Sequence, residues 1–169
     1  MERLLPFSSP WKNLLLFALT LGLIGPVASF FTLQGQLGYS PFRALLYSVV
    51  SFWADLLSII LFALFLSKVF GKRFDAALEV SLLSYLPMWV FDAFDLYQPL
   101  RFLSNAGFLT SLFVLWRLLG KKFSLSARGR VLLLLLWTVL YAADALVSEA
   151  IAASPLAAKV FKTLWGKGI

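Results

Sequence analysis

The sequence predicts an all-α polytopic membrane protein, a bundle of five transmembrane helices forming one domain over residues 1–169. Three observations predict it. Apolar residues make up 61% of the chain and charged residues only 14%, against about 45–50% apolar in ordinary soluble domains. The apolar residues gather into five blocks, each near the ~20 residues that a bilayer crossing needs. Most Lys and Arg residues flank those blocks rather than interrupting them.

The first span covers about residues 14–33. Gly22, Gly25 and Pro26 interrupt it and predict a bend, with packed neighbours satisfying the freed backbone groups. Its basic start and the small-residue stretch Val27-Ala28-Ser29 also match a secretory leader; a retained span is expected. The second span, about 42–70, exceeds a straight crossing, so it tilts or projects from the bilayer. The third, about 76–91, is the least apolar, with Glu79, Ser81, Ser84, Tyr85 and Pro87. Pro87 removes a helical donor and frees the carbonyl of Leu83, which predicts a kink; the alternative is a hinge or a broken-helix site. The fourth and fifth spans cover about 102–119 and 131–152. No soluble domain, repeat or low-complexity segment fits in the remainder.

Charge sets the expected orientation. The net charge is +7, but its placement beside apolar spans points to topology and anionic headgroups rather than to nucleic acid. Ten basic residues (Arg3, Lys12, Lys68, Lys72, Arg73, Arg117, Lys121, Lys122, Arg128 and Arg130) fall on one side. Five fall on the other: Arg43, Arg101, Lys159, Lys162 and Lys167. This places the amino terminus and the KKFSLSARGR loop in the cytoplasm, with the chain in the cell (inner) membrane. Lys121, Lys122, Arg128 and Arg130 are the expected contacts to lipid headgroups. The basic tail is either on the far side or flat on the surface, with Phe161, Leu164 and Trp165 dipped into the headgroups.

Several chemistries are excluded. The chain has no Cys and no His, which removes disulfides, thiol nucleophiles, Ser-His-Asp triads, imidazole relays and His-metal sites. No catalytic residue, metal site or cofactor is expected. The Asp92–Asp95 pair in DAFD has the one-turn spacing of Mg²⁺-diphosphate enzymes, but no second acidic motif accompanies it. Solvation at a helix end accounts for it more simply.

Asp55 is the residue that most needs a reason. It lies 13 residues into its span from Phe42, or ~20 Å at helical rise, deep in a hydrocarbon core ~30 Å thick. An Asp there costs roughly 2.5–3.5 kcal/mol on insertion scales, so it should face the bundle. Ser48, Ser51, Asp55 and Ser58 share one helical stripe. Ser81, Ser84, Tyr85, Asp92 and Asp95 repeat the device in the third span, with Glu79 on the opposite face. Thr138, Tyr141, Asp144 and Ser148 do so in the fifth. One reading is interhelical hydrogen bonding, at ~0.6 kcal/mol per contact. The sharper one is a shared polar interior centred on Asp55 and Asp144, with Tyr85, Ser51, Ser58, Tyr141 and Ser148 around them. With no cation obvious nearby, the two acids either carry a proton or meet the hydroxyls of Tyr85 or Tyr141.

The order of features resembles the Yip domain (Ypt-interacting protein) family in its compact prokaryotic form, over roughly residues 11–154. Gly71-Lys72 closes the long second span, and FDAALEVSLLSY leads into Leu86-Pro87-Met88-Trp89. An acidic bend with Pro99, a span ending in LWRLLG, a basic loop and a final aliphatic span follow. The most specific part is Gly71 with Tyr85-x-Pro87. The resemblance implies an all-helical bundle with no cofactor and no established catalysis. Its eukaryotic members are implicated in vesicle traffic, Rab GTPase binding and shaping of membranes. Their long amino-terminal arm with a DLYGP-type motif is replaced here by MERLLPFSSP, and DLYQP stands after the third span instead. GTPase binding through that arm therefore does not carry over.

Two roles follow. The first is a non-enzymatic membrane-organising or adaptor protein that engages lipids, a second copy or a membrane-protein partner. The second is a small transporter or channel whose polar stripes line a path.

Overall fold

Local sequence signals account for where each helix starts and stops. The computed structural model describes residue 6 and residues 9–154; Arg3 and the expected tail contacts Lys159, Phe161, Lys162, Leu164, Trp165 and Lys167 lie outside them. Helix α1, Pro10–Thr20, opens on a proline in its first turn, where the missing N–H has no intrahelical partner to lose. A turn over residues 21–23 leads into α2, Ile24–Gly35. Helix α3, Pro41–Phe70, again begins with proline, and Ser40 caps it by accepting from the Arg43 backbone N–H. It ends at Gly71 in the left-handed region, φ +61°, the usual helix stop.

Helix α4, Phe74–Phe91, runs through Pro87 without interruption. Two 3₁₀ segments, Asp92–Leu96 and Gln98–Leu103, then turn the chain into α5, Ser104–Phe123. Helix α6, Ala127–Ala152, is capped by Ser126, whose hydroxyl accepts from the Gly129 N–H.

Among the described residues the chain is an all-helical bundle, and five of its segments are long and apolar enough to cross a membrane. It is a multi-pass membrane protein. The α1–α2 pair forms one crossing, Pro10–Gly35. Its break falls at residues 21–23, where a Cβ on Gly22 would stand 2.8 Å from the Ala18 carbonyl oxygen. Gly25 and Pro26, expected to contribute to the bend, instead lie inside the first turn of α2, where proline is tolerated. The fourth crossing begins as 3₁₀ helix and continues as α5 past residue 119, so that Lys121 and Lys122 belong to its last turn.

Helix α4 is the least apolar crossing and the most enclosed. Half of its apolar window is buried inside the bundle, against 17–28% for the other four. Lipid tails solvate Leu as well as a protein core does, so apolar burial alone does not drive helices together; close packing and polar contacts do. Accordingly α4 packs against α3 and α5 and also touches α1 and α2. The serines of α4 are fully buried, and their hydroxyls return to their own helix, Ser81 to the Ala77 carbonyl at 2.9 Å and Ser84 to the Ser81 carbonyl at 2.7 Å. Gly107 of α5 lets the backbones approach: a Cβ there would stand 2.5 Å from Phe91 Cβ. The outer surface is lined by Leu15, Trp53, Leu109, Leu132, Val139, Leu146 and their like, as lipid exposure requires.

The bundle therefore has two ends. A basic end carries Lys12, Lys68, Lys72, Arg73, Lys121, Arg128 and Arg130. The opposite end carries the α2–α3 connection and both 3₁₀ segments.

Candidate functional site

Below the 3₁₀ segments the helices part around a cavity of about 260 Å³. Four carboxylates line it: Asp55 of α3, Asp92 and Asp95 of the first 3₁₀ segment, and Asp144 of α6. Ser29 and Thr32 of α2, Tyr47 and Ser51 of α3, Tyr141 of α6 and Arg101 complete the polar wall. A second hollow shares Asp92, Asp95, Arg101 and Tyr141 with it and extends to Ser104 and Asn105 of α5. Residue spacing explains the convergence. Tyr47, Ser51 and Asp55 are four residues apart and form one row on α3. Tyr141 and Asp144 occupy the facing side of α6.

Each acid is held differently. Asp55 Oδ2 accepts from the indole Nε1 of Trp89 at 3.2 Å. Asp144 Oδ1 accepts from Ser58 Oγ at 2.8 Å, while its buried Oδ2 has no hydrogen-bond partner among the described residues. Asp95 accepts from Ser104 Oγ at 2.6 Å and lies 3.8 Å from Arg101 Nε; its backbone carbonyl accepts from Thr32 Oγ1 at 2.8 Å. Asp92 lies flat against α2, where a Cβ on Gly25 would stand 2.6 Å from its Oδ2. Gly25 is thus the residue that makes room for a carboxylate.

Towards the basic end the cavity stops at a wall of rings. Tyr85, Trp89 and Trp137 are fully buried. Tyr85 meets Trp137 edge-on at 5.1 Å, and Phe108 packs on Trp137 and Tyr141 at 5.8 and 5.3 Å. Beyond them Ile59, Phe62, Ala63 and Leu66 are buried without remainder.

At the opposite end a clasp joins the start of α3 to the end of α6. Arg43 pairs with Glu149, its guanidinium lies 3.9 Å from the Tyr39 ring centre, and Tyr39 Oη donates to the Glu149 carboxylate at 3.1 Å. Desolvation and the adjacent Glu149 raise the Tyr39 hydroxyl above the usual phenol pKa.

The residues singled out from the sequence divide accordingly. Asp55, Asp144, Ser51 and Tyr141 meet at the cavity, and Ser58 reaches it through Asp144. Tyr85 stands in the aromatic wall, its hydroxyl turned towards Ser58 but without a hydrogen bond of ordinary geometry. Ser148 bonds the Asp144 backbone carbonyl on its own helix, at 2.7 Å. The expected tyrosine partners of the two acids are replaced by Trp89 and Ser58. Tyr85 is occupied by ring packing, and an indole N–H one turn further along α4 reaches the carboxylate instead.

The basic-end residues also divide. Lys121 and Arg128 are exposed. Lys122, an expected headgroup contact, is instead buried and donates to Glu79 of α4 at 3.1 Å. A carboxylate on an enclosed helix recruits the nearest ammonium inward. Arg130 is partly buried: Nε donates to the Leu125 carbonyl at 3.0 Å, and its guanidinium lies 4.5 Å from the centre of the Trp116 ring.

Sequence reasoning put Asp92 and Asp95 on the polar stripe of the third span but not among the residues around Asp55 and Asp144, and it missed Thr32, Trp89, Arg101 and the role of Gly25 at the cavity. The two carboxylates spaced one turn apart were the available signal. Among the described residues no group of three or more acids lies close enough to hold a metal ion; the carboxylates are spread along the wall. No protein-family model, curated protein or solved structure matches the chain.

Proposed function

We propose that the protein is a small transporter that admits a monovalent cation, the proton included, into the acidic cavity and passes it to Asp55. One observation carries this reading: four carboxylates from three chain segments surround one hydrophilic space inside an apolar bundle. Intramembrane acids are costly, and those that face a bundle interior or a water-filled cavity mark ion and proton paths. Among the described residues on the wall Arg101 is the single cation facing four acids, an arrangement that suits a proton or another positively charged occupant. Spread carboxylates suit successive handover rather than a fixed metal site. With the basic end in the cytoplasm, by the distribution of Lys and Arg, the cavity opens outward in the inner membrane. The aromatic wall of Tyr85, Trp89 and Trp137 is then the closed gate, and Pro87 beside it is the point where α4 yields.

The test is flux in proteoliposomes, with an internal pH dye for protons and labelled methylammonium for an organic cation. The reading expects flux in the wild type and its loss in Asp55→Asn and Asp144→Asn.

The membrane-organising role implied by the resemblance to the Yip domain family is the second reading. Five crossings in the expected order favour it. It leaves the cavity without a task, and it expects vesicle tubulation or clustering with no flux.

A further inference from the structure

A hollow of about 580 Å³ lies at the basic end between α5 and α6, lined by Phe113, Trp116, Arg117, Gly120, Lys121 and Arg130. Its three cations have no ion-pair partner among the described residues, and no carboxylate lines it. This contrasts with Lys122 one residue away, which Glu79 neutralises. Helix-dipole attraction explains basic residues in the last turn of α5, but not the way Arg130 is fixed. Arg130 comes from the other helix and is anchored to the Leu125 carbonyl and the Trp116 face. Gly120 leaves its seat open, since a Cβ there would stand 3.0 Å from Arg130 Nη1. A planar donor is thereby held ready for an anion before any anion arrives.

The apolar part of the hollow points along the membrane. Phe113, Arg117 and Lys121 are successive fours on one face of α5, so Phe113 lies ~12 Å from Lys121 at helical rise. Phe113 is exposed, and Arg117 lies over its ring at 5.2 Å. The site thus grades from three cations at the interface to an exposed ring facing acyl chains.

We propose that this hollow binds one anionic phospholipid, its phosphate between Arg117, Lys121 and Arg130 and an acyl chain along Phe113. The site is independent of the acidic cavity, and it narrows the expected headgroup contacts. Lys122 is withdrawn to Glu79, and Arg128 lies off the hollow.

The test uses the full chain in nanodiscs of phosphatidylcholine with increasing phosphatidylglycerol, read by native mass spectrometry of retained lipid. Quenching of tryptophan fluorescence by bromolipid is the second readout. Retention of phosphatidylglycerol over phosphatidylcholine is expected. Arg117→Gln and Lys121→Gln should each weaken it about fivefold, the effect of one cation near a membrane surface. Arg130→Gln should do at least as much, and Arg128→Gln should leave it unchanged. Lys121→Gln is exposed and does not disturb packing, so it carries the test if Arg130→Gln misfolds. Equal retention of both lipids overturns the site outright, and equal losses in Arg128→Gln overturn it in favour of diffuse surface charge. Displacement of the lipid by millimolar inorganic phosphate overturns the choice of a lipid and assigns a soluble anion.

Discussion

Glu79 and Asp55 are both acids on membrane-spanning helices, and the bundle treats them in opposite ways. Glu79 has Lys122 within 3.1 Å, and both side chains are mostly enclosed, 15% and 5% exposed. Asp55 receives, among the described residues, only a neutral indole N–H and faces a cavity. An acid that serves structure is matched with its counter-ion. An acid left without one, beside an open space, has been kept at a cost that packing does not repay. Stability and transport should therefore respond in opposite order to substitution at the two sites.

The largest loss of stability is expected at the matched pair. Lys122→Met removes Glu79's ammonium and should cost about 3–5 kcal/mol, read as thermal unfolding in detergent. Glu79→Gln in the same chain should recover most of it. Recovery that fails would place the role of Lys122 elsewhere. Gly107→Val comes next, because its side chain meets Phe91 and Met88 where α4 and α5 touch; about 1–3 kcal/mol is expected from overpacking. Trp89→Phe keeps an aromatic ring but removes the bond to Asp55 and the pyrrole half of a fully buried indole, for about 1–3 kcal/mol. Asp55→Asn should change stability least, by less than about 0.5 kcal/mol, since an amide still accepts from Trp89. The same variant should lose all flux. Full flux with lowered stability in Asp55→Asn would erase the contrast between the two acids.

How much of this could be read in the sequence depends on what each residue answers to. The five crossings were legible because lipid imposes a continuous apolar run on each. Asp55 and Asp144 were legible as bundle-facing because helical period places them with Ser51 and Tyr141. Asp92 and Asp95 read as the end of the third span's polar stripe, but α4 gives way to 3₁₀ helix at Asp92 and the period changes with it, so their place beside Asp55 did not follow. Gly25 carried no polar signal; its function is an absence of side chain opposite a residue 67 positions away. Lys121 and Lys122 read alike in sequence, and only the position of Glu79 on another helix separates them. Glu79 alone, in an apolar span, was the clue that some nearby ammonium would be drawn inward.

The enclosure of α4 bears on how the protein is made. A ribosome delivers this segment before α5 and α6 exist, and its serines, glutamate and proline make it a poor substrate for release into lipid alone. Helix α3 is already present when α4 leaves the translocon, whereas α5, the other main neighbour of α4, is not. The nascent chain thus passes through a stage with one polar flank of α4 uncovered, and the arrival of α5 with Lys122 ends that exposure.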